Sequence, residues 1–258
     1  MLGKQRQEGI LQRIQRQGYV SASQLSEDFG VTPSTIRRDL DALSQLGLIV
    51  RSHGGASMSA EAIEVPYEIK LEKNVIQKRA IAQAVALRIG DGTSAVIDSG
   101  STTFEVARAL RSHHGLTVVT DDLRVGAELA NGGASRLIVT GGEVMSSVYT
   151  LIGEGAVDTI LRYNIDIAVL GTDAIDPHGI TNSNSFEAPL KRAMIECAER
   201  VFVAADSSKF GHRGLVRIAT LEEIDLIITD DGLDELDARA YSTEVLRVPV
   251  ASTTLGVS

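Results

Sequence analysis

Seven short apolar segments alternate with helical segments over most of the chain, and this alternation constrains the fold more than any other feature of the sequence. The apolar segments fall at residues 95–97, 116–119, 136–139, 167–170, 201–204, 226–229 and 245–248. Helical patterns fit at residues 103–110, 123–130, 153–161, 185–198 and 233–241. Strands and helices that alternate at this spacing predict a mostly parallel α/β sheet, in which ligands bind beyond the carboxyl ends of the strands.

A helix start with two arginines lies much earlier, in the sequence VTPSTIRRDL of residues 31–40. Thr32 suits the N-cap and Pro33 the first helical position, which are preferred places for these residue types. The apolar positions of one helical face, at i, i+4 and i+7, are Ile36, Leu40 and Leu43. Ser34 and Arg38 point the opposite way. The helix is therefore predicted to pack by one side and to present a polar, arginine-bearing other side.

The segments around this helix predict a winged helix-turn-helix over residues 1–56. An earlier helix fits residues 7–17, and a second helix starts at Ser21 or Ser23. Downstream, residues 46–55 (LGLIVRSHGG) give an apolar strand, a basic tip and a glycine turn. Each pattern is common by itself, but their order and close spacing are typical of this domain.

The polar face of the arginine helix fits the major groove of DNA, where arginine can form two hydrogen bonds with guanine. Arg38 is central on that face and is the predicted base contact, whereas Arg37 lies to the side and is predicted to meet phosphate. The full set of predicted DNA contacts is Ser34, Thr35, Arg37, Arg38, Arg51 and His53. The alternative is that the two helix arginines form surface ion pairs with the neighbouring aspartates.

Charge is unevenly distributed along the chain. Residues 1–56 hold seven Lys or Arg and five Asp or Glu, a net of +2, whereas the remainder carries a net of −11. An acidic protein binds DNA through a locally positive surface, so we expect the DNA contacts in the N-terminal part.

Composition also limits the cellular compartment and the cofactors that we expect for this protein. Cys197 is the only cysteine, which excludes an intramolecular disulfide. No apolar run resembles a signal peptide or a membrane span, so we expect a cytoplasmic protein without membrane contact. The five histidines show no metal-ligand spacing, and the phosphate-loop and dinucleotide-binding glycine motifs are absent from the sequence. We therefore expect neither a metal nor a nucleotide cofactor.

A small, polar and aperiodic segment separates the two parts of the chain, and Pro66 punctuates its end. We predict a linker at residues 57–67 and a second domain at residues 68–258. The second domain is predicted to begin with a long helix over residues 68–89, which joins the two domains or forms part of a subunit contact.

The segment DSGSTT follows one predicted strand and opens a helix. Its glycine permits close approach of a ligand to the backbone, and the hydroxyls and free N–H groups at the helix start suit a phosphate. The predicted ligand contacts in this segment are Asp98, Ser99, Gly100, Ser101, Thr102 and Thr103. Thr102 through Glu105 also fits a capping box, which is the purely structural alternative.

Other strand ends and one helix add charged side chains and glycines. The further predicted ligand contacts are Asp121, Gly141, Gly142, Asp173, Glu187, Lys191, Asp206 and Lys209. Glu187 and Lys191 follow a predicted loop at residues 179–182, and their i,i+4 spacing also fits an ordinary helical ion pair. Lys209 beside Asp206 is similarly ambiguous. A phosphate site combined with lysines and carboxylates predicts a small phosphorylated polyol as the ligand.

Taken in order, these motifs resemble the DeoR family of bacterial transcriptional regulators. The N-terminal match runs through residues 35–40 (TIRRDL) and 53–56 (HGGA). The C-terminal match comprises residues 98–102 (DSGST), 141–142 (GG), 179–181 (GIT), 191–194 (KRAM) and 205–210 (ADSSKF). The resemblance covers nearly the whole chain.

The resemblance implies a sensor domain with a fold similar to ribose-5-phosphate isomerase and the CoA transferases. It also implies a phosphorylated sugar or a metabolic relative as effector, and repression of a sugar-use operon that the effector relieves. One departure concerns specificity. Where family members often have Thr-Asn after the second sensor strand, this chain has Thr120 and Asp121. The added carboxylate favours a hydroxyl-rich part of the ligand or changes its identity.

Two other functions compete with regulation by an effector. A sugar-phosphate isomerase fused to a DNA-binding module needs a general base and a group that stabilises an enediolate, and Asp173, Glu187 and Lys191 offer both. The lysine-glycine-rich and acidic segments that mark such isomerases are absent, however. The third hypothesis is an architectural DNA-binding protein without an effector.

A homodimer or homotetramer is expected under every hypothesis, because one winged helix contacts few base pairs and paired half-sites raise affinity and specificity. Under regulation by an effector, we expect ligand binding to change the spacing of the paired winged helices through the helix at residues 68–89.

Overall fold

The structure is a computed structural model that describes residues 3–45, 48–52, 54–58, 70–132, 134–145 and 148–250. The chain divides into two compact units, Met1–Lys73 and Asn74–Ser258. The N-terminal unit is a winged helix-turn-helix, and the C-terminal unit is a mostly parallel α/β domain. The predicted fold class is therefore confirmed.

The N-terminal unit combines helices with a small antiparallel sheet. Its helices are α1 (Gly3–Gln17), α2 (Ala22–Phe29) and α3 (Pro33–Gln45), and its strands are β1 (Tyr19–Ser21), β2 (Ile49–Ser52) and β3 (Gly55–Met58). β3 lies between β1 and β2 and pairs antiparallel with both. β3 continues past residue 56, so the wing extends into the segment predicted as a linker.

Local capping sets the ends of α2 and α3. Ser21 Oγ accepts a hydrogen bond from a first-turn N–H of α2 at 3.2 Å, and Gly30 ends that helix with a φ of 61°. Thr32 Oγ1 accepts from the N–H of Thr35 at 3.3 Å, and α3 begins at Pro33 as predicted. The fully buried face of α3 consists of Ile36, Leu40 and Leu43. The predicted orientation of this helix is therefore confirmed.

Two glycines form the tip of the wing between β2 and β3. Gly54 has a φ of 84°, a backbone conformation that favours glycine. At Gly55, a Cβ atom would lie 2.3 Å from the carbonyl oxygen of Val20 on β1. The close approach of β3 to β1 therefore requires glycine at this position. His53, predicted at the same tip, lies outside the described residues.

The C-terminal unit is a layered α/β domain. Its helices are α4 (Val75–Ala86), α5 (Ser101–Ala109), α6 (Leu123–Ala130), α7 (Glu154–Leu161), α8 (Ala188–Cys197) and α9 (Glu235–Ala238). Its strands are β4 (Ser94–Ile97), β5 (Leu116–Thr120), β6 (Ala134–Val139), β7 (Glu143–Met145), β8 (Thr150–Ile152), β9 (Ile165–Leu170), β10 (Ala174–Asp176), β11 (Gly179–Asn182), β12 (Ala198–Ala204), β13 (Val216–Ala219), β14 (Leu226–Asp230) and β15 (Glu244–Val248). Among the described residues, no helix has the length and apolar character needed to cross a membrane.

The central sheet has the order β15-β14-β12-β9-β4-β5-β6, and its neighbouring strands are parallel. Its seven strands coincide with the seven apolar segments of the sequence. Two antiparallel additions were not predicted, namely the pair β7-β8 and the sheet β10-β11-β13. The second addition places residues 179–182 in a strand, so the predicted loop there is wrong.

Helices cover both faces of the central sheet, as the crossovers of a parallel sheet require. Val96 belongs to one buried cluster, whereas its neighbours Ala95 and Ile97 belong to the other. Helices α7 and α8 contribute Ala156, Ile160, Leu190, Ala193 and Met194 to the first cluster. Helices α4, α5 and α6 contribute Ile81, Val85, Val106, Val125 and Leu129 to the second. The parallel strands between these layers therefore end at one common edge.

The helix predicted over residues 68–89 is not continuous, because Lys70 and Leu71 are helical but residues 72–74 are not. α4 starts only at Val75 and ends at Ala86. Asn74 precedes it with a φ of 52°, a left-handed conformation that interrupts a helix. The Asn74 side chain instead donates to Asp206 Oδ1 at 2.8 Å within the C-terminal unit. Residues 68 and 69 lie outside the described part of the chain.

Candidate functional site

The outward face of α3 is polar and exposed. Arg37 and Arg38 are both exposed, and neither guanidinium pairs with another side chain in the part of the chain that the structure describes. At the start of the helix, Thr32 Oγ1 lies 2.9 Å from Ser34 Oγ and 2.9 Å from Thr35 Oγ1. The predicted arginines and hydroxyls therefore share one accessible surface on α3.

The aspartates beside these arginines have other partners. Asp39 is buried, and its carboxylate accepts from Arg6 Nε at 2.6 Å and from Gln7 Nε2 at 3.3 Å, both on α1. Asp41 forms an ion pair with Arg51 of the wing. The structure therefore contradicts the alternative in which the α3 arginines pair with these aspartates.

Arg51, a predicted DNA contact, is turned toward α3. Its guanidinium donates to the backbone oxygen of Arg37 at 3.3 Å in addition to its ion pair with Asp41. These bonds fix the wing against α3. A phosphate that contacts Arg51 would share it with Asp41, and the predicted role of Arg51 stays a prediction.

Four charged side chains of the C-terminal unit lie together beyond the carboxyl ends of β4, β5 and β9. This strand-end cluster consists of Asp98, Asp121, Glu187 and Lys191. Lys191 forms a buried ion pair with Asp98 and donates to the backbone oxygen of Gly171 at 3.1 Å. The N–H of Gly171 in turn donates to Asp98 Oδ2 at 2.7 Å. Helix α8 thus delivers a lysine to the junction of two neighbouring strands.

Lys191 is only 1% exposed, a rare position for an ammonium group. Burial opposes its charged form, but the carboxylates of Asp98 and Glu187 outweigh burial and raise the pKa of Lys191 above its ordinary value. The lysine therefore stays charged at neutral pH. Sequence spacing suggested a simple helical pair with Glu187, and the structure adds Asp98, 93 positions away in the chain.

Asp121 is fully buried directly after β5, and neither carboxylate oxygen has a hydrogen-bond partner among the described residues. Burial, followed by the negative charge of Asp98, raises the pKa of Asp121 well above its usual range, against the opposing effect of Lys191. Asp98 Oδ1 and Asn182 Oδ1 are likewise buried without a partner in the described chain. Each such atom costs about 1–3 kcal/mol, so their concentration here is typical of a binding site rather than a core.

Helix α5 begins beside the cluster, with Gly100 as its N-cap. No side chain caps this helix, and Thr103 Oγ1 instead donates to the backbone oxygen of Gly100 at 3.0 Å. Thr102 lies inside the helix, so the predicted capping box is wrong, and Glu105 pairs with Arg108. The buried hydroxyl residues at this helix start are Ser99, Ser101, Thr102 and Thr103. The first turn of α5 therefore has hydroxyl groups and no side-chain cap, a combination that suits an anionic ligand.

Asp122 links the ends of β4 and β5, and sequence analysis assigned it no role. Its Oδ1 accepts from the N–H groups of Arg124 at 2.6 Å and Val125 at 3.2 Å, which caps α6. Its Oδ2 accepts from the N–H of Gly100 at 3.4 Å. Burial raises the pKa of Asp122 against these hydrogen bonds. An aspartate directly before a helical pattern is a cap signal that the sequence did contain.

Glu187 is buried at the start of α8. Asn182 Nδ2 donates to Glu187 Oε2 at 2.8 Å, and Asn184 Oδ1 accepts from the N–H of Glu187 at 3.3 Å. Asn182 is the last residue of β11. Because the sequence suggested a loop there, it gave no reason to expect Asn182 at the cluster.

The predicted glycine contacts have a structural reason of their own. Gly141 and Gly142 connect β6 to β7, with φ values of 65° and 117°. A Cβ atom on Gly142 would lie 2.4 Å from the carbonyl oxygen of Ile152 on β8. The β7-β8 pair therefore requires glycine here, whether or not a ligand is present.

Three other predicted contacts bind residues outside the strand-end cluster. Asp173 Oδ2 accepts from the N–H of Ser183 at 2.9 Å. Asp206 Oδ1 accepts from Asn74 at the start of α4. Lys209 lies in a short 3-10 turn, and its N–H donates to the backbone oxygen of Asp206 at 3.0 Å. Their ligand roles stay predictions.

Cys197 ends α8, and burial raises the pKa of its thiol to about 11. Its Sγ donates to the backbone oxygen of Met194 at 3.4 Å. A thiol that stays protonated is a poor nucleophile. In the described residues, no group of three or more His, Cys, Asp or Glu side chains is arranged to hold a metal ion.

Two domain families match this chain. The DeoR-like helix-turn-helix domain matches residues 6–62, and the DeoR C-terminal sensor domain matches residues 73–231. The chain belongs to the DeoR family of transcriptional regulators. The resemblance drawn from the motifs is thereby confirmed, and the strand-end cluster lies within the DeoR sensor domain.

Several relatives match this DeoR-family chain along almost their whole length, and their names describe transcriptional regulators. The glycerol-3-phosphate regulon repressor of Escherichia coli K12 is 37% identical over 227 residues, which cover 88% of this chain and 90% of that protein. The HTH-type transcriptional regulator GlpR of Haloferax volcanii is 39% identical over 236 residues, which cover 91% of this chain and 92% of that protein. The transcriptional repressor AccR of Agrobacterium fabrum is 34% identical over 230 residues, covering 88% and 89%.

Solved structures show weaker likeness to this DeoR-family chain. Ribose 5-phosphate isomerase A from Neisseria gonorrhoeae has a TM-score of 0.39 and 17% identity, with 53% of each chain covered. The translation initiation factor eIF-2B from Pyrococcus horikoshii has a TM-score of 0.46 and 19% identity, with 87% of this chain and 86% of that chain covered. No functional inference follows from likeness at this level.

Proposed function

We propose that this DeoR-family protein is a sequence-specific repressor of a sugar-use operon, controlled by a phosphorylated sugar that binds at the strand-end cluster. The observation that carries the proposal is the buried Asp98–Lys191 pair, which leaves Asp98 Oδ1 without a partner among the described residues. A closed structural ion pair would use both carboxylate oxygens. The names of the relatives, which include regulon and transcriptional repressors, support the regulatory part.

The phosphate is assigned to the first turn of α5. This helix start has no side-chain cap, and glycine precedes it, so backbone N–H groups and the helix dipole favour an anion there. The hydroxyls of the sugar are assigned to the unpaired oxygens of Asp98 and Asn182. The hydroxyl contacts would satisfy side-chain oxygens that the described residues leave buried and unpaired, which favours binding.

The thermal unfolding of the purified protein tests this assignment. A panel of sugar phosphates, each paired with its unphosphorylated sugar, is added at rising concentration. A ligand at 100 times its dissociation constant should add about 2.7 kcal/mol to the free energy of unfolding. Stabilisation by a phosphorylated sugar but not by its parent supports the site, and no stabilisation across the panel contradicts it.

DNA recognition is assigned to the exposed face of α3. Arg38 is proposed to read a base, so Arg38→Ala should lower affinity for the operator more than for random DNA, by about 1–3 kcal/mol of discrimination. Arg37→Ala should weaken both about equally and lower the salt slope by about one. Equal losses for operator and random DNA in Arg38→Ala would contradict its base contact.

Regulation requires that the effector bind the two states of the repressor unequally. We propose a homodimer or homotetramer in which the effector changes how paired winged helices meet their half-sites. A stabilising sugar phosphate should therefore change operator affinity. Unchanged operator affinity at saturating ligand would contradict this proposal and favour the architectural hypothesis.

Catalysis is not part of the proposal. The carboxylates considered as general bases, Asp173 and Glu187, accept hydrogen bonds from Ser183 and Asn182. The named relatives are regulators rather than enzymes. Turnover of ribose 5-phosphate by the purified protein, abolished in Glu187→Ala, would contradict this part.

A further inference from the structure

The strand-end cluster and its neighbour Asp122 hold more acidic groups than one lysine can balance. Lys191 is engaged by Asp98. Asp122 accepts N–H groups at the start of α6, and Glu187 accepts the side-chain amide of Asn182. Asp121 is the exception, since both of its oxygens are buried and neither has a donor in the described chain. Asp98 Oδ1 also lacks a donor, but among the described residues Asp121 is the carboxylate of this cluster with no donor on either oxygen.

A metal ion is a poor match for this missing donor. A cation such as Mg²⁺ or Zn²⁺ is held by several side chains that converge on one point. Among the described residues, no three acidic, histidine or cysteine side chains converge in that way. A single carboxylate with two free oxygens fits an ammonium group instead, because such a group supplies several donors together with one positive charge.

The position of Asp121 also brings it within reach of a sugar bound at α5. Ile97 and Thr120 are paired residues of the adjacent parallel strands β4 and β5, so Asp98 and Asp121 follow directly on neighbouring strands. Neighbouring strands lie about 4.8 Å apart, less than the length of a hexose phosphate. The hydrogen bond from Gly100 N to Asp122 Oδ2 ties the two loops together. The start of α5 and Asp121 therefore lie on adjacent loops, at a spacing that one hexose phosphate can span.

We propose that Asp121 makes the site selective for a phosphorylated amino sugar, whose ammonium group binds the Asp121 carboxylate while the phosphate binds at the start of α5. This inference rests on the proposed function and names the class of its effector. A sugar phosphate without an amino group carries no positive charge to offset the Asp121 carboxylate, and it offers that carboxylate only hydroxyl donors. Burial raises the pKa of Asp121, and an approaching ammonium group reverses that effect by stabilising the ionised carboxylate.

The test compares ligands that differ only at one carbon. Glucosamine 6-phosphate is set against glucose 6-phosphate, and galactosamine 6-phosphate against galactose 6-phosphate, with dissociation constants measured by calorimetry. At least one amino sugar phosphate should bind the wild-type protein about tenfold or more tightly than its hydroxyl counterpart, since charge-assisted hydrogen bonds are about twice as strong as neutral ones.

The variant Asp121→Asn removes the charge and keeps the size of the side chain. It should lose the preference for the amine and bind the two members of a pair about equally. Asp158→Asn, an exposed residue on α7, is the matched control and should keep the wild-type preference. Far-ultraviolet circular dichroism shows whether each variant is folded before its affinities are compared.

Each outcome has a distinct meaning. Equal binding of amine and hydroxyl partners by the wild-type protein, or an unchanged preference in Asp121→Asn, overturns the inference about Asp121. If sugar phosphates still bind better than their parent sugars in that case, the proposed function stands without it. If no phosphorylated sugar of the wider panel binds, the proposed function itself fails, and the inference fails with it.

Discussion

In each unit, the described residues include a buried ion pair that joins distant parts of the sequence, and these two pairs differ in how completely they are satisfied. Arg6 and Asp39 connect α1 to α3, and both carboxylate oxygens accept hydrogen bonds. Lys191 and Asp98 connect α8 to the end of β4, and only Oδ2 of the carboxylate is bonded within the described residues.

The difference is the one expected between a structural pair and the binding pair that we propose. A buried charge is tolerated when its hydrogen bonds are completed, and the Arg6–Asp39 pair completes them inside the domain. The Lys191–Asp98 pair leaves an oxygen unpaired beside the doubly unpaired Asp121. We propose that the first pair holds α1 against α3, whereas the second is completed by the bound effector.

The largest expected effect is that of Lys191→Met. Removal of the ammonium group leaves the buried carboxylate of Asp98 without its cation, which should lower the free energy of unfolding by about 3–5 kcal/mol. Urea unfolding measures the loss. The variant should also lose its stabilisation by the sugar phosphate that binds the wild-type protein. Retained ligand stabilisation would show that the pair has a structural role only.

Arg6→Met should have the next largest effect. The side chains of Arg6 and Asp39 are 11% and 7% exposed, so water can partly replace the missing donor. We expect a loss of about 1.5–3 kcal/mol, the range for hydrogen bonds to charged groups. Ligand stabilisation of the sensor domain should be unchanged. If the sugar phosphate no longer stabilised Arg6→Met, the Arg6–Asp39 pair would also affect ligand binding, and the two pairs would not differ in function.

The pH dependence of stability sharpens the comparison further. Burial raises the pKa of Asp121, so the folded protein holds a proton where the unfolded chain has already released it. The contribution of Asp121 to the free energy of unfolding should therefore be largest below the ordinary carboxyl pKa and fall as pH rises through the raised pKa. Asp121→Asn should make this fall shallower, because Asp98 and Asp122, whose pKa values burial also raises, keep part of it. Urea unfolding at a series of pH values measures the slope for the wild-type protein and for the variant. An identical slope in the variant would contradict the raised pKa of Asp121.

The smallest effect is expected at an exposed pair on α9. Arg239 and Glu235 are 70% and 64% exposed, and they are an i,i+4 ion pair. Glu235→Gln should change the free energy of unfolding by less than about 0.5 kcal/mol, since solvent and salt screen such pairs. Thermal unfolding at low and high salt measures it. A larger loss would mean that burial is not what separates strong pairs from weak ones in this protein.

The sequence predicts most of the framework of both units. The central strands are apolar runs of the expected length, and α3 carries a cap and a clear apolar face, so local patterns are sufficient for them. The short strands β7, β8, β10, β11 and β13 have three or four residues each, too few for a period to appear. The break at residues 72–74, which ends in the left-handed Asn74, was missed because the residues on both sides of it have helical character.

The candidate site could be predicted in its members but not in its connections. Asp98 and Asp121 stand out because they directly follow apolar strands, and Glu187 and Lys191 stand out because they are spaced i,i+4 in a predicted helix. Which carboxylate pairs with Lys191 depends on the order of strands in the sheet, and no local pattern contains that order. The satisfied pair of Arg6 and Asp39 gave no signal, because both residues look like ordinary surface charges on amphipathic helices.

The tip of the wing has a consequence for genetics. Every missense change of a glycine codon adds a Cβ atom, and at Gly55 that atom would lie 2.3 Å from the oxygen of Val20. No amino acid substitution at Gly55 is therefore conservative. Missense changes at Gly55 should appear in random screens for loss of DNA binding whichever amino acid they introduce, while the sensor domain encoded downstream stays folded.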